Sequence, residues 1–148
     1  MEPHLFLFTP GRWVGAGRIT FNVSKELIRF YTRWTIEKDE QGRLICNQVV
    51  EMQGISEKVE NRFLVYGFDN TKFKIDMQSE AVGSAAGTGI VDEKTIAWEF
   101  HGQAGVEGFE VYELQENGDY MLHAEYASSE QFRTIIDARI WRKDEGSV

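Results

Sequence analysis

The segment Gly11-Arg12-Trp13-Val14-Gly15-Ala16-Gly17-Arg18-Ile19 carries the strongest structural signal in this chain of 148 residues. Its alternate positions form one mostly apolar face, made of Trp13, Gly15, Gly17 and Ile19. The charged Arg12 and Arg18 lie on the other face. Such alternation predicts a β-strand with one buried side. Two closely spaced glycines within a strand fit a sharp bend. The segment therefore predicts the first strand of a strongly curved sheet.

The same alternation recurs along the rest of the chain, whereas helical periodicity is confined to residues 24–27, one turn at most. Clear later examples are Phe30-Thr32-Trp34-Ile36, Phe73-Ile75-Met77, Ile96-Trp98-Phe100 and Tyr120-Leu122-Ala124-Tyr126. Turn sequences such as Asp39-Glu40-Gln41-Gly42 and Asn117-Gly118-Asp119 separate the runs. We predict an all-β fold, a single antiparallel up-and-down barrel of about ten strands. Periodicity alone leaves a two-sheet sandwich open.

Size and composition indicate one globular domain over residues 1–148. Within it we expect residues 1–10 to form an N-terminal extension and residues 144–148 a C-terminal tail. There are 24 acidic and 16 basic residues, and the resulting net charge of −8 disfavours nucleic acid as a partner. The N-terminus lacks the features of a secretory signal, and no apolar run is long enough for a membrane span. We therefore predict a cytoplasmic protein.

The opening Gly11-Arg12-Trp13-Val14-Gly15-Ala16-Gly17 resembles the Gly-x-Trp-x-Gly-x-Gly start of calycin-superfamily barrels. This superfamily includes the lipocalins, the fatty-acid-binding proteins and the nitrobindin-like domains. The closing Ile140-Trp141-Arg142 is similar to the basic last strand of that group. The resemblance implies that Trp13 plugs one end of the barrel and that a cation from the last strand lies across its ring. Strand parity selects Arg142 for that cation, since Arg139 falls on the outer face.

The chain departs from each branch of the superfamily. One cysteine, Cys46, excludes an internal disulfide, and residues 24–27 leave no room for the two helices of fatty-acid-binding proteins. Nitrobindin-like domains bind haem through a late histidine, for which His123 is the nearest candidate. Parity disfavours His123 and also His101, since both share a face with glutamates, and we expect His4 to lie outside the fold. The cofactor is therefore left unknown, and no metal site is predicted.

The faces predicted to point inward are apolar, with scattered neutral polar groups and almost no charge. Such a lining suits a small lipophilic ligand with one or two hydrogen-bonding atoms. We predict as ligand-binding residues the large inward side chains Trp34, Phe63, Phe73, Trp98, Phe109, Tyr126 and Phe132. The leading hypothesis is therefore an intracellular binding protein for a small hydrophobic molecule held in the barrel.

Two alternatives stay open. An interior filled by its own side chains would leave an interaction module, for which the outer aromatics Tyr31, Tyr66 and Trp141 are candidates; a homodimer is compatible with this hypothesis. The other alternative is an enzyme on the same barrel, using Tyr126 or Arg33 as a polar group. No sequence signature of catalysis supports it, so no catalytic residue is predicted and a binding protein is preferred.

Overall fold

The computed structural model describes residues 4–80, 83–103, 106–127 and 132–143. Ten antiparallel strands form one closed barrel in which each strand pairs with its neighbours in sequence and β1 pairs with β10. The strands are β1 Gly11–Phe21, β2 Leu27–Lys38, β3 Leu44–Met52, β4 Lys58–Asp69, β5 Lys72–Ser79, β6 Gly83–Val91, β7 Thr95–Gln103, β8 Val106–Leu114, β9 Tyr120–Ala127 and β10 Arg133–Arg142. The predicted up-and-down barrel is confirmed, and no helix occurs in the described ranges, residues 24–27 included.

The first and last strands close the barrel through a register of nine residue pairs that begins with Trp13 opposite Arg142. Close approach of the backbones explains Gly17, because a Cβ there would lie 2.1 Å from the carbonyl oxygen of Asp137. A contact of Arg142 with the Trp13 ring is not among the cation–ring contacts of the described residues. Arg142 is exposed and its Nη2 lies near Gly11. The cation–ring contact found in this part of the described chain is Arg139 over Trp141, at 5.8 Å.

Turn chemistry works as the sequence indicates. Between β2 and β3, the Asp39 carboxylate accepts hydrogen bonds from the backbone N–H of Gln41 and Arg43, at 2.9 and 2.8 Å. Gly42 follows with a φ of +81°, a left-handed conformation that costs glycine little. Between β8 and β9, Gly118 has a φ of +91° and its N–H donates to the Gln115 carbonyl. Both segments form the predicted hairpin turns.

In the strands for which alternation predicts an inward face, that face is the buried one, and β8 is the exception. There, Glu110 and Tyr112 are buried, whereas Phe109 and Val111 lie on the outer side. The pairing of Glu110 with Trp98, and of Phe109 with the exposed Glu99, fixes this orientation. The predicted inward position of Phe109 is therefore wrong. Both faces of β8 carry apolar residues, so hydrophobic alternation could not fix its register.

The segment before β1 is part of the core. Phe6 and Leu7 are fully buried, and His4 is 2% exposed. The His4 ring bonds through Nδ1 to the Tyr120 hydroxyl at 2.7 Å and through Nε2 to the Asp92 carbonyl at 2.5 Å. Our expectation that His4 lies outside the fold is therefore wrong: residues 4–10 plug one end of the barrel, here called the closed end. The predicted tail, residues 144–148, lies outside the described residues.

No helix among the described residues is long and apolar enough to cross a membrane.

Candidate functional site

A cavity of about 270 Å³ occupies the barrel at the end opposite residues 4–10, here called the cavity end. It lies where β1, β3, β5 and β9 finish and where β2, β4, β8 and β10 begin. Several of its residues, including Val59, Thr134 and Ile136, are only half-buried. Its lining consists of Ile19, Phe30, Thr32, Gln48, Val50, Val59, Asn61, Phe63, Met77, Ser79, Glu110, Leu122, Tyr126, Ala127, Thr134 and Ile136. Most of this surface is apolar, and one member carries an ionisable carboxyl.

That carboxyl belongs to Glu110, which is 8% exposed. Its Oε1 accepts a hydrogen bond from the Tyr112 hydroxyl at 2.5 Å, and its Oε2 accepts one from the Tyr126 hydroxyl. Alternation along β8 brings Tyr112 to the same side, and register with β9 brings Tyr126 close. Trp98 lies across the ladder from Glu110. Two donors thus hold the carboxyl in place at the edge of the cavity.

Burial governs the protonation of this cluster. Loss of hydration raises the pKa of Glu110, while the hydrogen bonds from Tyr112 and Tyr126 and the nearby Trp98 indole oppose that rise. Burial and the neighbouring carboxyl both hold the pKa of Tyr112 and Tyr126 well above the usual value for tyrosine. The tyrosines therefore stay neutral donors, and Glu110 is the group whose charge responds to its surroundings.

A second polar group lies on the facing wall. The Gln48 Nε2 donates to the Thr32 hydroxyl at 3.1 Å, and the Asn61 Nδ2 donates to the Gln48 Oε1 at 2.9 Å. These residues come from β2, β3 and β4. Around the ten-stranded ring, β3 and β8 are five strands apart, so the neutral Gln48 and the ionisable Glu110 face each other across the barrel. An apolar cavity with polar groups on two opposite walls results.

The structure separates the predicted ligand-binding residues into three groups. Phe63 and Tyr126 line the cavity. Trp34, Trp98 and Phe73 are buried in the core outside the cavity lining. Trp34 stacks on Phe63 with ring centroids 5.3 Å apart, and Trp98 stacks on Tyr112 at 4.9 Å.

The other two predicted residues lie elsewhere. Phe109 is on the outer face beside His123, with ring centroids 6.2 Å apart. Phe132 precedes β10 and packs against Phe21 at 5.6 Å.

Sequence reasoning missed Glu110, the most distinctive residue of the cavity. The signal available was weak: Glu110 shares a parity with Tyr112 and Leu114, so one face of β8 is apolar except for one carboxylate. The competing face offers Phe109 and Val111. Because buried carboxylates are uncommon, hydrophobicity alone favours the face with Phe109 and Val111 as the inward one.

The histidines and the cysteine lie away from the cavity. His123 is on the outer face, where Asp137 and Glu125 bind its two ring nitrogens at 2.7 and 2.9 Å. Hydrogen bonds to these carboxylates raise the pKa of His123. Cys46 is fully buried, and burial raises the pKa of its thiol to about 12, as for an inert core side chain.

His101 pairs with Glu99 at 3.4 Å on the outer face. The described residues include no group of three or more His, Cys, Asp or Glu side chains that could hold a metal ion.

Comparison with solved structures identifies the architecture. The S-type phycobiliprotein lyase CPES from Guillardia theta superposes with a TM-score of 0.71 over 92% of this chain and 89% of that chain. The barrel is therefore lipocalin-like in fold. Sequence identity to that lyase is 10%, so the likeness concerns the fold alone. Neither a scan against protein-family models nor a search of curated proteins finds a match.

Proposed function

We propose that this lipocalin-like barrel binds a small, mostly apolar molecule in the cavity next to Glu110 and Tyr126. One observation carries the proposal: the barrel is packed with side chains at its closed end but keeps about 270 Å³ of lined space at the other. A cavity of this kind, apolar with a few convergent polar groups, is the usual form of a small-molecule site. The likeness to a phycobiliprotein lyase is compatible with a small ligand and does not specify which.

Burial of apolar surface supplies the driving force for such binding, at about 25 cal/mol for each Å² removed from water. The polar groups on the two facing walls set the orientation of the ligand. A wall group that loses its water and gains no hydrogen bond from the ligand weakens binding. Large aromatic side chains such as Phe63 and Phe30 form much of the wall. The proposed occupant is therefore hydrophobic in its body and hydrogen-bonding at one or two points.

Native mass spectrometry of protein purified gently from its own cells tests the proposal. A reproducible additional mass, released on denaturation, is expected for the wild type. Thr134→Trp places a large ring in the cavity lining and should abolish that mass. Thr35→Trp makes the same change on the exposed outer face of β2 and should retain it. A clean apo mass for the wild type, or equal loading of both variants, would contradict the proposal.

A second candidate, an enzyme, is favoured by the same carboxyl. Glu110 is a buried acid with a raised pKa that reaches a cavity, and Tyr126 beside it offers a hydroxyl. Such a pair is typical of general acid–base sites. Arg33, the other residue considered for this role, is exposed on the outer face. Conversion of the bound molecule by wild type and its loss in Glu110→Gln, with binding retained, would support catalysis.

The interaction module has less support. Of its candidate aromatics, Tyr31 is 66% exposed. Tyr66 donates to Asp76 at 3.3 Å, and Trp141 lies under Arg139. A cytoplasmic location and a homodimer stay predictions from the sequence.

A further inference from the structure

The cavity lining has an unbalanced charge. Glu110 is its only carboxylate, and no lysine, arginine or histidine is among the described lining residues. The bonds to its two oxygens come from the neutral hydroxyls of Tyr112 and Tyr126. A carboxylate removed from water is costly unless a cation or several donors accompany it. The protein therefore holds an acid where its own residues supply no counter-charge.

The geometry of this acid leaves it able to bind more. An ionised carboxylate has about four acceptor positions, and the two tyrosines use one on each oxygen. Both hydroxyls hold the group in a fixed orientation, and Glu110 is one of the residues that line the cavity. The Trp98 indole lies near this carboxyl, but its Nε1 makes no hydrogen bond, so the two tyrosine hydroxyls are the donors that the geometry shows on the carboxylate oxygens. An additional donor entering the cavity would meet preoriented acceptor oxygens in a site of low polarity.

The rest of the cavity lining limits which kind of molecule can carry that donor. The facing residues Thr32, Gln48 and Asn61 are neutral and already bonded to one another. Everything else is aliphatic, aromatic or a small hydroxyl or methyl side chain. An apolar cavity of about 150 Å³ holds one benzene, so a space of about 270 Å³ fits one to two rings. An anionic ligand would be repelled by Glu110 and would find no cation in the lining.

We infer that the ligand is a small aromatic or aliphatic amine whose protonated nitrogen binds the Glu110 carboxylate, with its apolar body in the cavity. This inference rests on the proposed function and adds the charge class of the ligand. Glu110 supplies the ion pair, while Tyr112 and Tyr126 act as positioning residues that hold its two oxygens.

Three indoles that differ in one group test the inference: tryptamine, tryptophol and indole-3-acetate carry an ammonium, a hydroxyl and a carboxylate. Titration calorimetry at neutral pH should show wild type preferring tryptamine over tryptophol by about tenfold or more, the effect of one charged hydrogen bond. Glu110→Gln should remove this preference, so that tryptamine and tryptophol bind with similar affinity. The matched control Glu99→Gln removes an exposed carboxylate from the outer face and should behave as wild type.

The outcomes separate the two proposals. Equal affinity of the wild type for tryptamine and tryptophol, a preference for indole-3-acetate, or a preference that survives Glu110→Gln would overturn the amine inference and leave small-ligand binding intact. Failure of all three indoles to bind would also overturn it. In that case native mass spectrometry still tests the proposed function separately. It compares the endogenous bound mass in Thr134→Trp with that in Thr35→Trp and uses no indole. Near-ultraviolet circular dichroism establishes that each variant keeps its packed core.

Discussion

The two ends of the barrel use the same strands in different ways. At the closed end Phe6 packs between Trp13 and Trp34, with ring centroids 5.2 and 5.3 Å away, and against Tyr112 and Tyr120. At the cavity end several inward positions hold small or polar side chains beside the aromatic ones, and about 270 Å³ stays unfilled. Ring packing of this density stabilises a fold through dispersion and apolar burial. The closed end is therefore densely packed, whereas the cavity end keeps lined space for a ligand.

Polar groups follow the same division. His4 at the closed end is bonded on both ring nitrogens by the protein itself. Glu110 at the cavity end is bonded by two hydroxyls and borders open space. Burial lowers the pKa of His4 and raises that of Glu110, so each is pushed toward its neutral form. His4 is therefore bonded entirely within the protein, whereas Glu110 also borders the cavity in which we propose a ligand binds.

The largest effect is expected from Phe6→Ala. This side chain is fully buried among four aromatic rings, so its removal leaves a void that the strands cannot fill. A loss of about 3–5 kcal/mol in the free energy of unfolding is expected. Urea denaturation measures it. The control Phe21→Ala truncates a half-buried ring at the other end and should cost about 1 kcal/mol. Similar losses for the two variants would contradict the division between the ends.

His4→Gln is expected to have an intermediate effect. It disturbs two buried hydrogen bonds and should cost about 1–3 kcal/mol at neutral pH. The folded pKa of His4 is lowered below its ordinary value of 6.5. Its contribution is therefore complete above pH 6.5 and is lost as the pH falls through the folded value. Urea midpoints of wild type and variant should converge as the pH decreases; a constant difference would show that His4 titrates normally.

Glu110→Gln should have the smallest effect on the free energy of unfolding. The effect should appear as a change in how that free energy depends on pH. The folded pKa of Glu110 is raised above its ordinary value of 4.5. Its contribution is therefore present below pH 4.5 and is lost as the pH rises through the folded value. The wild type should lose stability relative to the variant over that rise, opposite in sign to the His4 effect. Parallel pH profiles for wild type and Glu110→Gln would show that the carboxyl is not desolvated.

The sequence was sufficient for the architecture because alternation and turn residues are local signals. The turn sequences that contain Gly42 and Gly118 predict hairpins from local residues, and the inward sets of eight strands follow from period two. The closed end could not be read in this way. Leu5-Phe6-Leu7-Phe8 shows no alternation, and Leu7 adopts a left-handed φ of +73° that only its packing in the folded chain explains.

The site was harder to predict than the fold, since it depends on one register. Phe63 and Tyr126 follow from alternation, but β8 has apolar residues on both faces, and Phe109 was chosen over Glu110. A shift by one residue exchanges every side chain of a strand between the faces. Only the pairing of β8 with β7, which sets Glu110 opposite Trp98, resolves that choice. Tertiary pairing therefore supplies what local pattern cannot.

Xenon binding followed by methyl NMR distinguishes a barrel with an empty cavity at one end from a barrel that is packed throughout. Xenon enters empty apolar cavities without needing a specific contact. Under xenon pressure, the methyl signals of Val50, Leu122 and Ile136 at the cavity end should shift, while those of Leu44 and Ile96 in the packed core should not. Shifts at Leu44 or Ile96, or no shift at any of the five, would contradict a barrel that is packed at one end and open to a ligand at the other.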